Sequence, residues 1–155
     1  MGTGALSQEF DDVYGAIEFG DENAGVIENT LTSNRVGKNF NIKNIGDSEI
    51  SFKFSIFFSG LEFEPGNEEI TISLYDKNNE ELFGLKLMVP DDYFGENCRI
   101  IIDSKNYVVY YIGPNGKEEI ANYLIKDGWF FNLPLGESVF ISNIMGILEY
   151  HYLFL

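Results

Sequence analysis

The stretch "EISFKFSIFFSG", residues 49 to 60, constrains this chain more than any other. Ile50, Phe52, Phe54, Ile56 and Phe58 occupy every second position, while Ser51, Lys53, Ser55 and Ser59 fall on the alternate positions. Successive side chains of a strand point to opposite faces, whereas a helix would scatter a period of two around its circumference. The run therefore predicts a strand with one greasy face and one wet face. Phe57 alone breaks the wet face, among serines.

The rest of the chain repeats this rhythm in shorter pieces. "KNFNIKNI" ends at Gly46-Asp47, and "EITISLY", "LFGLKLMV", "RIIID" and "YVVYYI" come after it in that order. Between them stand "EPGN", "DKNNE", Pro90-Asp91-Asp92 and Asp103-Ser104-Lys105-Asn106, the last a polar link of hairpin length. "GPNGK" marks another turn, and "EEIANYLI" fits either a strand or one short helix. The closing stretch "GILEYHYLFL" reads as a last strand. Strands at this spacing predict an all-β fold: an antiparallel β-sandwich of about eight to ten strands with at most one short helix.

One segment concentrates aromatic residues. "WFFNLPLGESVFIS", residues 129 to 142, carries the only tryptophan ahead of Pro134 and Gly136. Proline cannot donate to a ladder and glycine relaxes the backbone, so "LPLGE" predicts the corner where one strand ends and the next begins. In an extended run Trp129 and Phe131 would share one face and Phe130 the other. Val139 and Ile141 would face opposite to Phe140.

Residues 1–37 differ from the remainder of the chain. Glu9, Asp11, Asp12, Glu18, Asp21, Glu22 and Glu28 precede the first basic residue, Arg35, and glycines recur throughout. They read as an acidic, Gly-rich arm or lead-in with one candidate strand around "VYGAIEF", ahead of a sandwich domain over 38–155. The formal charge of the whole chain is -15. A field of that sign repels phosphate, which excludes nucleic acid and disfavours anionic membrane as partners. No apolar run approaches the ~18 residues of a membrane span. The N-terminus lacks the basic start and apolar middle of a signal peptide.

Residues suited to catalysis are sparse. His151 is the only histidine, and with Glu149 it reads as a surface pair on the last strand. Cys98 is the only cysteine, which excludes an internal disulfide and suits a small core or edge residue. No spacing matches a zinc, EF-hand or phosphate-cradle motif, and Asp91-Asp92 reads as a solvated turn. No catalytic residue, metal or cofactor is assigned. Binding is the better reading. Trp129, Tyr107, Tyr110 and Tyr111 supply amphipathic rings that could stack on a sugar, although tyrosine is also an ordinary strand former. Phe57, flanked by Ser55 and Ser59, predicts an assembly surface on that strand or on the loops beside it, since an unpaired edge there would invite a neighbouring subunit.

From Asn39 onward the order of features resembles the C-terminal domain of siphophage-type distal tail proteins. The residues carrying the likeness are Asn44-Ile45-Gly46 before the alternating strand, "RIIID" ending at Asp103, Phe131 to Glu137, and the aromatic final strand from Tyr150 to Phe154. The likeness spans residues 38 to 155. It implies a galectin-like or jelly-roll sandwich and a non-enzymatic role in the virion tail, made in the host cytoplasm. The implied partners are other tail-tip proteins (tail tube, hub, receptor-binding protein) or copies of itself. Two features depart from the pattern. Ser138 stands where asparagine is usual, and 37 residues are too few for the family's ring-building N-terminal domain, so the resemblance implies the peripheral domain alone. A freestanding carbohydrate-binding sandwich, with a cell-surface glycan as partner, is the alternative reading.

Overall fold

A computed structural model describes residues 26–27, 30–58 and 69–153. The chain forms β1 (Val26–Ile27), β2 (Thr30–Asn44), β3 (Phe52–Phe57), β4 (Glu69–Asp76), β5 (Glu81–Met88), β6 (Arg99–Asp103), β7 (Val108–Ile112), β8 (Glu118–Ile120), β9 (Ile125–Gly128) and β10 (Gly136–Leu153). Among the described residues, helix is confined to two 3-10 turns, Asp91–Tyr93 and Asn122–Leu124. The ambiguous "EEIANYLI" thus resolves into β8, a turn and the first residue of β9. The turn expected at "EPGN" and the strand expected at "VYGAIEF" lie outside the described residues. β2 begins at Thr30, ahead of the boundary expected at Lys38.

The fold is all-β and antiparallel, but the expected pair of stacked sheets is one continuous sheet curled into a half-barrel. Its order is β8-β7-β6-β3-β10-β4-β5-β9, with β2 along the other edge of β10 and β1 on β2. The cause is the length of β10, an 18-residue strand that changes partner midway. Ser138–Ser142 pairs with Asp76–Ile72 of β4, whereas Ile147–Tyr150 pairs with Ser55–Phe52 of β3. β2 follows both halves, with a register break between Ile141 and Gly146.

The break is chemically specified. Ser142 Oγ accepts from Ile144 N (3.1 Å) and donates to the Ile144 carbonyl (2.7 Å), closing a local loop. Asn143 stands in for strand backbone: its Oδ1 accepts from Thr71 N (2.9 Å) and its Nδ2 donates to Glu69 O (2.8 Å). The β4 ladder therefore stays satisfied past the point where β10 turns away. Gly146 leaves room for the Phe54 ring, which a Cβ there would meet at 2.5 Å.

Curling brings alternate residues of both wings into one core. Ile50, Phe52, Phe54, Ile56 and Phe58 are all buried, as their spacing predicts. Phe140 is the hub of an aromatic cluster, its ring 5.2 Å from Phe52 and from Phe54 and 5.9 Å from Phe40. Val139 and Ile141 face away from it. Rings of this size contribute roughly 2–3 kcal/mol each through burial, with edge-to-face geometry adding to that.

Gly128 and Gly136 test how tightly the wings close. Both have left-handed φ, +79 and +83. A Cβ on Gly128 would collide with the Gly84 carbonyl, whereas one on Gly136 would meet nothing within 4 Å. Gly136→Ala is expected to cost about 1 kcal/mol, the backbone strain alone. Gly128→Ala is expected to cost at least ~3 kcal/mol, because backbone must move as well. Urea unfolding of the two variants measures the difference.

Candidate docking surface

Three polar groups build the open end of the half-barrel, opposite the bend in β10. Asn44 is buried (3%) at the end of β2; its Oδ1 accepts from Gly46 N (3.0 Å) and its Nδ2 donates to Ser48 O (3.0 Å) and Leu133 O (3.4 Å). Ile50 and Leu133 exchange backbone bonds of 3.0 and 2.7 Å, which ties the loop before β3 to the corner before β10. Asp103 caps the β6–β7 turn: Oδ1 accepts from Lys105 N (3.1 Å), and Oδ2 from Asn106 Nδ2 (2.9 Å). Ser104 Oγ accepts from Phe52 N (2.8 Å) and donates back to Phe52 O (3.2 Å). The Asn-x-Gly turn, the apolar run into aspartate and the proline-glycine corner, separate in sequence, thus meet at one end.

Over this base the chain displays apolar side chains. Tyr107 (58% exposed), Trp129 (57%), Leu135 (55%) and Ile45 (41%) lie in loops, and Phe83 (48%) and Leu82 (43%) in the first half of β5. Trp129 and Tyr107 both stand edge-on to the buried Phe130, with centroids at 5.2 and 6.0 Å. Phe83 stacks on the buried Phe131 at 5.8 Å and an interplanar angle of 9°. Tyr107 has a left-handed backbone (φ +56), which costs a non-glycine residue about 1 kcal/mol. Asn122 holds that conformation, donating to Tyr107 O (2.9 Å) and accepting from Val109 N (2.8 Å). Large exposed rings seated on buried ones, with Tyr107 held against local backbone strain, fit a docking platform.

The other sequence candidates fall elsewhere. Tyr110 is half-buried in β7. Tyr111 is in the core rather than on a sugar-facing surface: it is 9% exposed, its ring stacks on Tyr93 at 4.2 Å, and its hydroxyl donates to Cys98 Sγ at 3.4 Å. Trp129 and Phe131 do not share a face, because the residues after β9 are not extended strand; Phe130 and Phe131 both turn inward. Phe57 is 42% exposed, with the Arg99 guanidinium 5.3 Å from its ring centre. Its strand is not a sheet edge: β3 lies between β10 and β6, and Ser55 is paired on both sides. Ser59 lies outside the described residues.

Polar depressions are shallow. One, of about 350 Å³, lies over Gly84 and Gly128, which lack side chains to fill it, and is lined by Thr71, Ser73, Glu81, Lys86 and Asp127. Another, of about 280 Å³, is lined by Lys53, Asp103, Lys105, Glu149 and His151. Among the described residues no group of three or more His, Cys, Asp or Glu side chains could hold a metal ion. Cys98 is buried, with its thiol against Tyr111. No helix among the described residues is long and apolar enough to cross a membrane.

No family model matches the sequence, and no curated protein does. Among solved structures, the crystal structure of the Dit protein of phage SPP1, described as a paradigm of the hub adsorption apparatus in phages infecting Gram-positive bacteria, is similar, with a TM-score of 0.59 at 14% identity. The likeness takes in 81% of this chain and 47% of the SPP1 chain, so this chain spans less than half of that protein's length. At this identity it is a likeness of fold. The chain has an all-β fold structurally related to a phage distal-tail protein.

Two measurements probe this end of the molecule. Asn44→Ala would leave Gly46 N and the Ser48 and Leu133 carbonyls without their side-chain partner, and is expected to cost roughly 2–4 kcal/mol in urea unfolding. Burial, and then the bond to Cys98, raise the Tyr111 phenol above its usual 10.0. The fold favours the neutral phenol, so this contribution is complete below pH 10.0 and is lost as pH climbs through the raised value. Tyr111→Phe should therefore flatten the fall in urea midpoint from about pH 10 upward.

Proposed function

We propose that this chain is a non-enzymatic assembly module of a phage tail tip, docking neighbouring tail components through the apolar open end around Trp129 and Tyr107. The single observation that carries the reading is that patch, set on the buried Phe130 and Phe131 and displayed on a fold related to a distal-tail protein. Interfaces concentrate their energy in a few large aromatic anchors, so two rings at the centre of such a patch are expected to dominate. The partners proposed are the tail tube, the hub, a receptor-binding protein or a second copy. Phe57, over Arg99 on the outer face of β3, is proposed as a secondary contact; pairing through Ser55's backbone is ruled out by its two neighbouring strands.

Trp129→Ala together with Tyr107→Ala is expected to leave the fold within about 1 kcal/mol of wild type, since both rings are mostly in water. The same pair should abolish incorporation into tails in a complementation assay, while Phe57→Lys should weaken it. Normal incorporation of the double variant would refute the docking role. Trp129, as the only tryptophan, also reports directly: acrylamide should quench it in the isolated chain and be excluded from it in assembled tails.

A second reading rests on the same two rings. Exposed Trp129 and Tyr107 on either side of Phe130 form a platform on which a sugar ring could stack, with Tyr110 as an outlying candidate. Glycan-array binding that disappears with Trp129→Ala would favour it. An assembled complex without sugar affinity would favour docking.

A further inference from the structure

The turn between β6 and β7 walls a polar depression of about 280 Å³, shared with the start of β3 and the second half of β10. Lys53, Asp103, Lys105, Asn106 and Glu149 supply polar groups to it. Neither Trp129 nor Tyr107 belongs to its lining, so it stands apart from the aromatic platform over Phe130.

Its charges are arranged unlike those of an ordinary sheet surface. Register sets Lys53 of β3 between Asp103 of β6 and Glu149 of β10. Opposite charges facing each other across strands attract, and they commonly close into ion pairs. Here they do not: among the described residues the ion pairs are those of Glu69 with Lys86 (3.3 Å) and Lys126 (3.9 Å). The Asp103 carboxylate is held in its own turn, accepting from the Lys105 and Asn106 amides at 3.1 and 3.3 Å and from Asn106 Nδ2 at 2.9 Å. It is buried, and reaching Lys53 would cost it these bonds. Glu149 makes no ion pair or side-chain hydrogen bond among the described residues.

The backbone beneath the lysines is fixed. Ser104 N donates to Phe52 O (3.0 Å), Phe52 N donates to Ser104 Oγ (2.8 Å), and that hydroxyl donates back to Phe52 O (3.2 Å). Lys53 and Lys105 each follow this clamp by one residue. Two ammoniums and one carboxylate, none neutralised by a neighbour, therefore line one small space.

That composition selects a ligand. A small inorganic anion would satisfy the lysines and be repelled by Glu149. A neutral sugar would donate hydroxyls to Glu149 and leave both ammoniums without a counter-charge. A sugar carrying one carboxylate answers both, and a depression at the small end of ligand sites has room for one ring. The whole chain carries -15, but here two lysines balance Asp103 and Glu149, so a single negative charge is not opposed locally. We propose that this depression is a subsite for an acidic sugar of the uronic acid class. Its carboxylate lies between Lys53 and Lys105, and its ring hydroxyls donate to Glu149 and to Asn106 Oδ1.

Titrating the full-length chain with methyl glucuronide, followed by amide NMR shifts, tests this. Shifts at Lys53, Lys105, Asn106 and Glu149 are expected, with a Kd on the order of 1 mM. Methyl glucoside, which lacks only the carboxylate, should bind the wild-type chain at least ~10-fold more weakly. Lys53→Met and Lys105→Met should each weaken the glucuronide by about tenfold. Lys126→Met, the same loss of charge outside the depression, should change nothing, and dispersed amide spectra of each variant check that the fold is kept. Glu149→Leu, which removes the hydroxyl acceptor, should also weaken the glucuronide; a bare anion site would bind it more tightly. No shifts at these residues up to about 20 mM glucuronide, equal affinity for the glucoside, or tighter binding by Glu149→Leu would overturn the proposal.

Discussion

The structure depends on one strand serving three neighbours. β10 carries β4 on its first half and β3 on its second, with β2 along the opposite edge throughout. A straight strand of 18 residues would give a flat sheet with its apolar face in water. The break between Ile141 and Gly146 folds the strand so that its two halves, and the wings they carry, enclose one core. Asn143 and Ser142 make that break possible without orphaning backbone, since their side chains take up the bonds that a regular ladder would have made.

The aromatic cluster is a product of that geometry. Phe140 sits on the first half of β10, Phe52 and Phe54 on β3 beside the second half, and Phe40 on β2. Only the curl sets these rings 5.2 to 5.9 Å apart. The Ile50–Leu133 bridge and the bonds of Asn44 and Ser104 brace the end opposite the bend. Phe130 and Phe131 turn inward there, while Trp129, Tyr107 and Phe83 pack on them and still face water. The docking patch is a consequence of how the half-barrel is finished. It shares its foundations with the core.

By itself the sequence determined the strands and their faces. The alternation from Ile50 to Phe58, the turn residues and the corner at Pro134-Gly136 act through neighbours a few positions apart, and such effects survive without knowledge of the fold. It also carried the motifs Asn44-Ile45-Gly46, Asp103 and Leu133-Pro134, though without showing that they converge. Tertiary structure alone decided that β10 would serve both wings, that β3 would lie inside the sheet with Phe57 over Arg99, and that Tyr111 would be buried against Cys98 while Tyr107 stayed in water. Tyrosines four positions apart in one hairpin have the same intrinsic preferences. What separates them is the packing of distant residues, which local pattern does not encode.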